Sequence, residues 1–147
     1  MRGSRVYVCD STALIDLYQH FPKKFKKLKT PVSNSFVKIP EDVYRELVRK
    51  TDKLRKMVEI WSSKYDFEIS IKHDRRLLNE LPRIDRTYGY KVTVGGKDYP
   101  GFWSSPSGSK SADAQVVTVG KVLGYIVVSD DRAVRYACLL ENVECIG

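Results

Sequence analysis

Residues 122–137 read VLGYIVVSDDRAVRYA. Tyr125, Ile126, Val127 and Val128 form a short apolar run rich in β-branched residues, as a strand covered on both faces requires. Ser129, Asp130 and Asp131 break that run. Ala133, Val134, Ala137 and Cys138 then repeat at i, i+3 and i+4, which predicts a helix. The acids therefore fall just outside the carboxyl end of a parallel strand, where open α/β sheets place their ligands. The amino-terminal stretch repeats the arrangement. Val6 to Cys9 form an apolar strand, Asp10 ends it, and Ser11 and Thr12 open a helix carrying Ala13, Leu14, Leu17 and Tyr18.

The chain has 147 residues, enough for one domain with helices on both faces of a sheet. It carries a net charge of +8, which points to a polyanion or an anionic membrane surface as partner. No apolar run approaches the ~20 residues of a membrane span. The opening MRGSRVYVCD is too short in apolar residues for a signal peptide. Cys9, Cys138 and Cys145 are odd in number and lie in apolar surroundings, which reads as reduced core thiols in a cytoplasmic protein. There is no CxxC, and His20 and His73 are far apart in sequence, a poor basis for structural zinc.

Lys23, Lys24, Lys26, Lys27 and Lys29 surround Phe25 and Leu28, as in a short amphipathic helix with its lysines outward. Those lysines are either a solvated face or a phosphate-backbone contact. Residues 31–40 read as a loop ending in an extended piece, and Pro40 suits the first helical position. Glu41 and Asp42 favour the first turn of a helix over 41–50. Glu46 lies about 60° around that helix from Val43, on the border of its apolar face. A surface pair with Arg49 or Lys50 is its bland reading.

Thr51 and Asp52 cap a further helix to about Lys64, and Phe67 to Ile71 alternate as a strand. His73 to Leu81 reads as a short helix closed by Pro82. Residues 83–110 read as irregular, with Val92 to Val94 as a minor strand; a loop this long is usually functional or disordered. Its tyrosines, Phe102 and Trp103 either pack as a flap or stack on bases. Ser111 resembles an N-cap. Ala112, Val116, Val119 and Leu123 form one stripe of a buried helix, with Asp113 at its edge. A final strand is expected over Val143 to Ile146.

Asp10, Glu46, Asp113 and the pair Asp130/Asp131 can converge on one cleft. Gathered carboxylates repel one another, which raises some of their pKa values. A divalent cation relieves that cost, and oxygen donors without His or Cys select Mg²⁺ or Mn²⁺. Such a metal can orient a water, lower its pKa and stabilise charge on a phosphoryl group. An acidic centre in a basic protein is the expected composition of a metal-dependent nuclease. Lys53, Arg132 and Arg135 join the lysine segment, Arg49 and Lys50 as candidate phosphate contacts.

Four motifs, in this order, resemble the PIN domain, the fold of the VapC-type toxin ribonucleases. They are V-C-D-S-T-A-L-I-D-L at 8–17, I-P-E-D-V-Y-R-E-L at 39–47, S-A-D-A at 111–114 and V-V-S-D-D-R-A at 127–133. The resemblance implies a three-layer α/β/α sandwich with a central parallel β-sheet. It implies that Asp10, Glu46, Asp113 and Asp131 bind metal and carry catalysis. Ser11, Thr12 and Ser129 would be supporting polar groups, and Asp130 a neighbouring acid able to contribute to the metal site. It also implies frequent homodimers and an antitoxin partner. Residues 83–110 are longer than the family's usual link before the third acid.

The expected activity is Mg²⁺- or Mn²⁺-dependent cleavage of single-stranded or looped RNA, as a toxin or as an RNA-processing nuclease without an antitoxin. A non-catalytic RNA-binding module is the competing class. A P-loop is excluded because Gly108 and Lys110 are not adjacent. A phosphoacceptor domain is disfavoured because no acceptor Asp lies on a middle strand.

Overall fold

A computed structural model of the chain describes residues 5–49, 52–90, 92–99, 101–102 and 110–147. Strand β1 (Tyr7–Cys9) leads into α1 (Ser11–His20), α2 (Pro22–Lys27) and α3 (Lys29–Ser33). Strand β2 (Val37–Pro40) leads into α4 (Glu41–Val48) and α5 (Lys53–Lys64), and then β3 (Glu68–Ile69) and α6 (Arg75–Tyr88) follow. A two-stranded hairpin, β4 (Val92–Val94) and β5 (Lys97–Tyr99), precedes α7 (Lys110–Leu123). The chain closes with β6 (Ile126–Val128), α8 (Arg132–Glu141) and β7 (Cys145–Ile146).

The main sheet has the order β3-β2-β1-β6-β7, and each of its neighbouring pairs is parallel. Tyr7, Val8 and Cys9 pair in register with Ile126, Val127 and Val128. These segments are strands because they are short, apolar and covered: Val8, Val127 and Ile39 have no exposed surface. Helix α7 lies against one face of the sheet, with α6 and α8 beside it. On the other face, Ala13, Leu14 and Leu17 of α1 share an apolar cavity with Tyr7, Cys9 and Val128 of the sheet. The fold is thus a three-layer α/β/α sandwich with a parallel central sheet, as expected. From β1 the chain moves to β2 on one side, and from β6 to β7 on the other. The strand order therefore reverses between β1 and β6, at the topological switch point where such sheets bind ligands.

Two packing details position the site. Phe25 of α2 is buried between Tyr18 and Trp61, stacked on the Trp61 ring at 5.3 Å. That one aromatic anchor holds a helix otherwise made of Pro and Lys. On the opposite face, α7 approaches the sheet at Gly120. A Cβ there would lie 2.7 Å from both the Val127 and the Val143 side chains. Only a residue without a side chain fits so close an approach.

Several local expectations are corrected. Helix α6 does not stop at Leu81 but runs through Pro82 to Tyr88. Proline removes the bond to the carbonyl four residues earlier, here that of Leu78, and the helix continues without it. Residues 83–110 are accordingly not irregular throughout: they hold the end of α6 and the hairpin. Gly95 and Gly96 adopt φ +59° and +77°, the positive values that a two-residue hairpin turn requires. Residues 31–33 belong to α3 and are not loop. Pro40 ends β2 and caps α4 instead of occupying its first turn. Ser111 lies within α7, not at its cap. Asp52 does cap α5, its side chain accepting from the Arg55 N–H. Thr51, Lys50, Trp103 and most of the Gly–Pro–Ser stretch at 101–111 lie outside the described residues.

Candidate active site

Asp10 follows β1 and caps α1, its Oδ1 accepting from the Ala13 N–H at 2.8 Å. Its Oδ2 accepts from the Ser129 hydroxyl, which sits just past β6. The Ser129 Oγ in turn accepts from the Asp131 N–H at 3.0 Å. Asp131 caps α8, its Oδ1 accepting from Ala133 and Val134. One hydroxyl thus ties together the carboxyl ends of two adjacent strands and the acids that begin the next two helices. Carboxylates belong at these positions because helix N-termini present free N–H groups and a positive dipole end.

Glu46 comes in from α4. Its Oε1 accepts from the Ser11 hydroxyl at 3.3 Å. The helix is fixed from two sides. Glu41, 7% exposed, accepts from the Ile71 N–H at 2.6 Å. The Asp42 N–H donates to the Gln115 side-chain carbonyl of α7 at 3.0 Å. Sequence reasoning missed Glu41 and Gln115 as positioning groups. Glu41 looked like an ordinary first-turn acid, and Gln115 was hidden among apolar neighbours. Asp113 lies in the first turn of α7 and is 5% exposed.

Asp10 and Glu46 are electrostatically unusual. Burial pushes the Asp10 carboxyl up to about 6; the Ser129 and Ala13 hydrogen bonds oppose this, and the charges of Asp131 and Asp130 add to it. Burial raises Glu46 to about 7 against the Ser11 hydrogen bond and Arg49, with Asp10 and Asp42 adding repulsion. Cys9, beside Asp10, has its thiol pushed up to about 12 by burial and then by that carboxylate. Strong desolvation together with like-charge coupling at a strand-end cleft is a pattern of functional sites.

Asp10 and Asp131 are therefore hydrogen-bonded together through Ser129, while Glu46 is held by Ser11, the residue after Asp10, and feels the Asp10 charge. Thr12 is half-buried in the first turn of α1. Asp130 turns outward, its carboxylate 3.9 Å from the Arg135 guanidinium. The donor set is all oxygen, the chemistry of a hard divalent cation. Among the described residues, no three His, Cys, Asp or Glu side chains are gathered closely enough to hold a metal ion.

Lys23, Lys24, Lys26 and Lys27 are all exposed on α2. They come after the 10 residues of α1, about 15 Å of helix leading away from Asp10. Arg49, Lys53, Arg132 and Arg135 lie at or near the ends of α4, α5 and α8 and are also exposed. No helix among the described residues is long and apolar enough to cross a membrane.

No family model and no curated protein sequence matches this chain. Among solved structures it is similar in fold to VapBC2 from Rickettsia felis bound to a DNA fragment from their promoter. That match has a TM-score of 0.54 and 13% identity, and covers 96% of this chain and 97% of that one. It also aligns with PAE2754 from Pyrobaculum aerophilum at a TM-score of 0.48 and 16% identity, over 90% and 86% of the two chains. The class defined by sheet order and likeness is a PIN-like α/β/α fold.

Proposed function

We propose that the protein is a metal-dependent endoribonuclease, acting on single-stranded or looped RNA. The observation that supports this most is the Ser129 hydroxyl joining Asp10 to Asp131 at the switch point between β1 and β6. Asp10, Glu46, Asp113 and Asp131 would hold Mg²⁺ or Mn²⁺. When bound, such a cation lowers the pKa of water and stabilises charge on a phosphoryl oxygen. Ser129 and Ser11 orient the carboxylates of Asp10 and Glu46. Arg49, Lys53, Arg132 and Arg135 hold the phosphate backbone nearest the acids, and the α2 lysines extend the contact further along the strand.

The solved complex of similar fold contains VapBC2 with promoter DNA. On this reading the protein would act either as the toxin of a pair, with an antitoxin and a second copy of itself as partners, or as an RNA-processing nuclease without an antitoxin. The test is cleavage of a long structured RNA with Mn²⁺, with EDTA, and with Asp113→Asn in parallel. Cleavage that needs both the metal and Asp113 is the expected result.

The separation of the carboxylates among the described residues favours a second reading, a basic RNA-binding module without cleavage. Retention of RNA with no cleavage under any metal condition would select it.

A further inference from the structure

Phe21 stands at the bend between α1 and α2 and is 54% exposed. The backbone there is fixed from both sides. The Phe21 N–H donates to the Leu17 carbonyl at 2.9 Å, and the Phe21 carbonyl accepts from the Phe25 N–H at 3.0 Å. Phe25, the other aromatic residue of the segment, is buried against Trp61. One phenylalanine thus fills the core and anchors the bend, while the other faces water.

Positive charge surrounds the exposed ring. Lys23, Lys24, Lys26, Lys27 and Lys29 all face solvent, and the sequence holds no Asp or Glu between Asp16 and Glu41. None of these lysines pairs with a carboxylate among the described residues. The Lys24 ammonium lies over the Phe21 ring, 5.2 Å from its centroid. That cation–π contact steadies the ring and occupies one of its faces.

We propose that Phe21 is a stacking platform for an unpaired base of RNA, with the lysines of the 23–29 segment holding the phosphates beside that base. The proposal rests on the RNA-binding part of the reading above and not on cleavage. An aromatic face stacks on any base without reading its sequence, and lysines hold the backbone by charge alone. A duplex keeps its bases stacked inside, so it can use the lysines but not the ring. The combination therefore selects single strands over duplexes. An anionic membrane would call for an apolar stripe beside the lysines, and here Phe25 is buried and Leu28 half-buried.

The test measures binding of the full chain to labelled oligouridylate and to an RNA duplex of equal length, in EDTA so that nothing is cleaved. Phe21→Ala should weaken single-strand binding about tenfold and leave duplex binding unchanged. The slope of log affinity against log salt should stay the same, because no charge is lost. Lys26→Gln should instead weaken both RNAs and reduce the single-strand slope by about 0.7. Phe21→Trp should bind the single strand as tightly as the unaltered chain, with its added fluorescence quenched as the base stacks. An Ala variant that binds the single strand undiminished, or that loses both RNAs together, would overturn the proposal. So would binding to phosphatidylserine vesicles with none to RNA. Single-strand binding that depends on Phe21, with no cleavage at any metal, would keep the platform and remove the nuclease. Metal-dependent cleavage with undiminished binding by Phe21→Ala would do the reverse.

Discussion

The Ser129 hydroxyl donates to Asp10 across 119 residues of sequence, and its oxygen accepts the Asp131 N–H. Ser129 has no exposed surface and Asp10 is 2% exposed. Ser129→Ala leaves both partners short of a hydrogen bond in a buried place, at a cost of about 1–3 kcal/mol. It also removes an interaction that lowers the Asp10 pKa, so that value should climb further. Urea unfolding at neutral pH measures the first effect, and carboxyl-carbon NMR titration the second. Unchanged stability would mean that water replaces the hydroxyl.

Asp10→Asn should abolish cleavage and leave the fold intact, since Asn still caps α1 by accepting from Ala13. The pH dependence has a definite sign. The folded Asp10 carboxyl titrates at about 6 instead of 3.8. Ionising it in the folded protein therefore costs about 3 kcal/mol. Its favourable contribution is complete below pH 3.8 and is lost as pH rises through 6. Relative to the unaltered protein, Asp10→Asn should gain stability progressively between those values. Denaturant curves of both proteins at several pH values check this, and a difference flat with pH would contradict it.

A divalent cation should raise the melting temperature, because it relieves the repulsion felt by Asp10 and Glu46. At a hundredfold excess over its dissociation constant the stabilisation is about 2.7 kcal/mol. The gain should be larger above pH 7, where both acids are ionised, than at pH 5, where protons compete. Glu46→Gln should reduce it. Thermal scans with Mn²⁺ at the two pH values decide the matter, and no shift at millimolar metal would count against the site.

Tyr88 donates to buried Glu141, which also pairs with Arg83 at 2.6 Å. The arrangement ties α6 to α8. Tyr88→Phe keeps the ring near Phe102, at 6.3 Å between centroids, but deletes the donor. A loss of about 1 kcal/mol is expected in urea unfolding.

Much of this architecture was legible because burial writes itself into short apolar runs. Tyr7 to Cys9 and Ile126 to Val128 pair with each other as strands, and the acids that end those runs meet through Ser129. The stripe from Ala112 to Leu123 likewise marked α7. The α6 helix was misread because Pro82 is a strong local stop signal. Leu77, Leu81, Ile84 and Tyr88 continue the helical stripe straight through it, and tertiary packing of that stripe overrides the single lost bond. The hairpin was half seen. Val92 to Val94 read as a strand, but its partner Lys97–Tyr99 is too polar to stand out. The roles of Glu41 and Gln115 were not legible, because each depends on a partner far away in sequence.

Gly120 gives the candidate site an unexpected dependence. Helix α7 rests on the sheet at this glycine, and Asp113 lies two turns back along the same helix, in a stretch from Ala112 to Val117 that is buried throughout. Adding a single methyl at Gly120 would press on Val127 and Val143 and displace the helix that carries Asp113. The reach of the third carboxylate is thus governed from the far end of the helix, by a residue with no functional group at all.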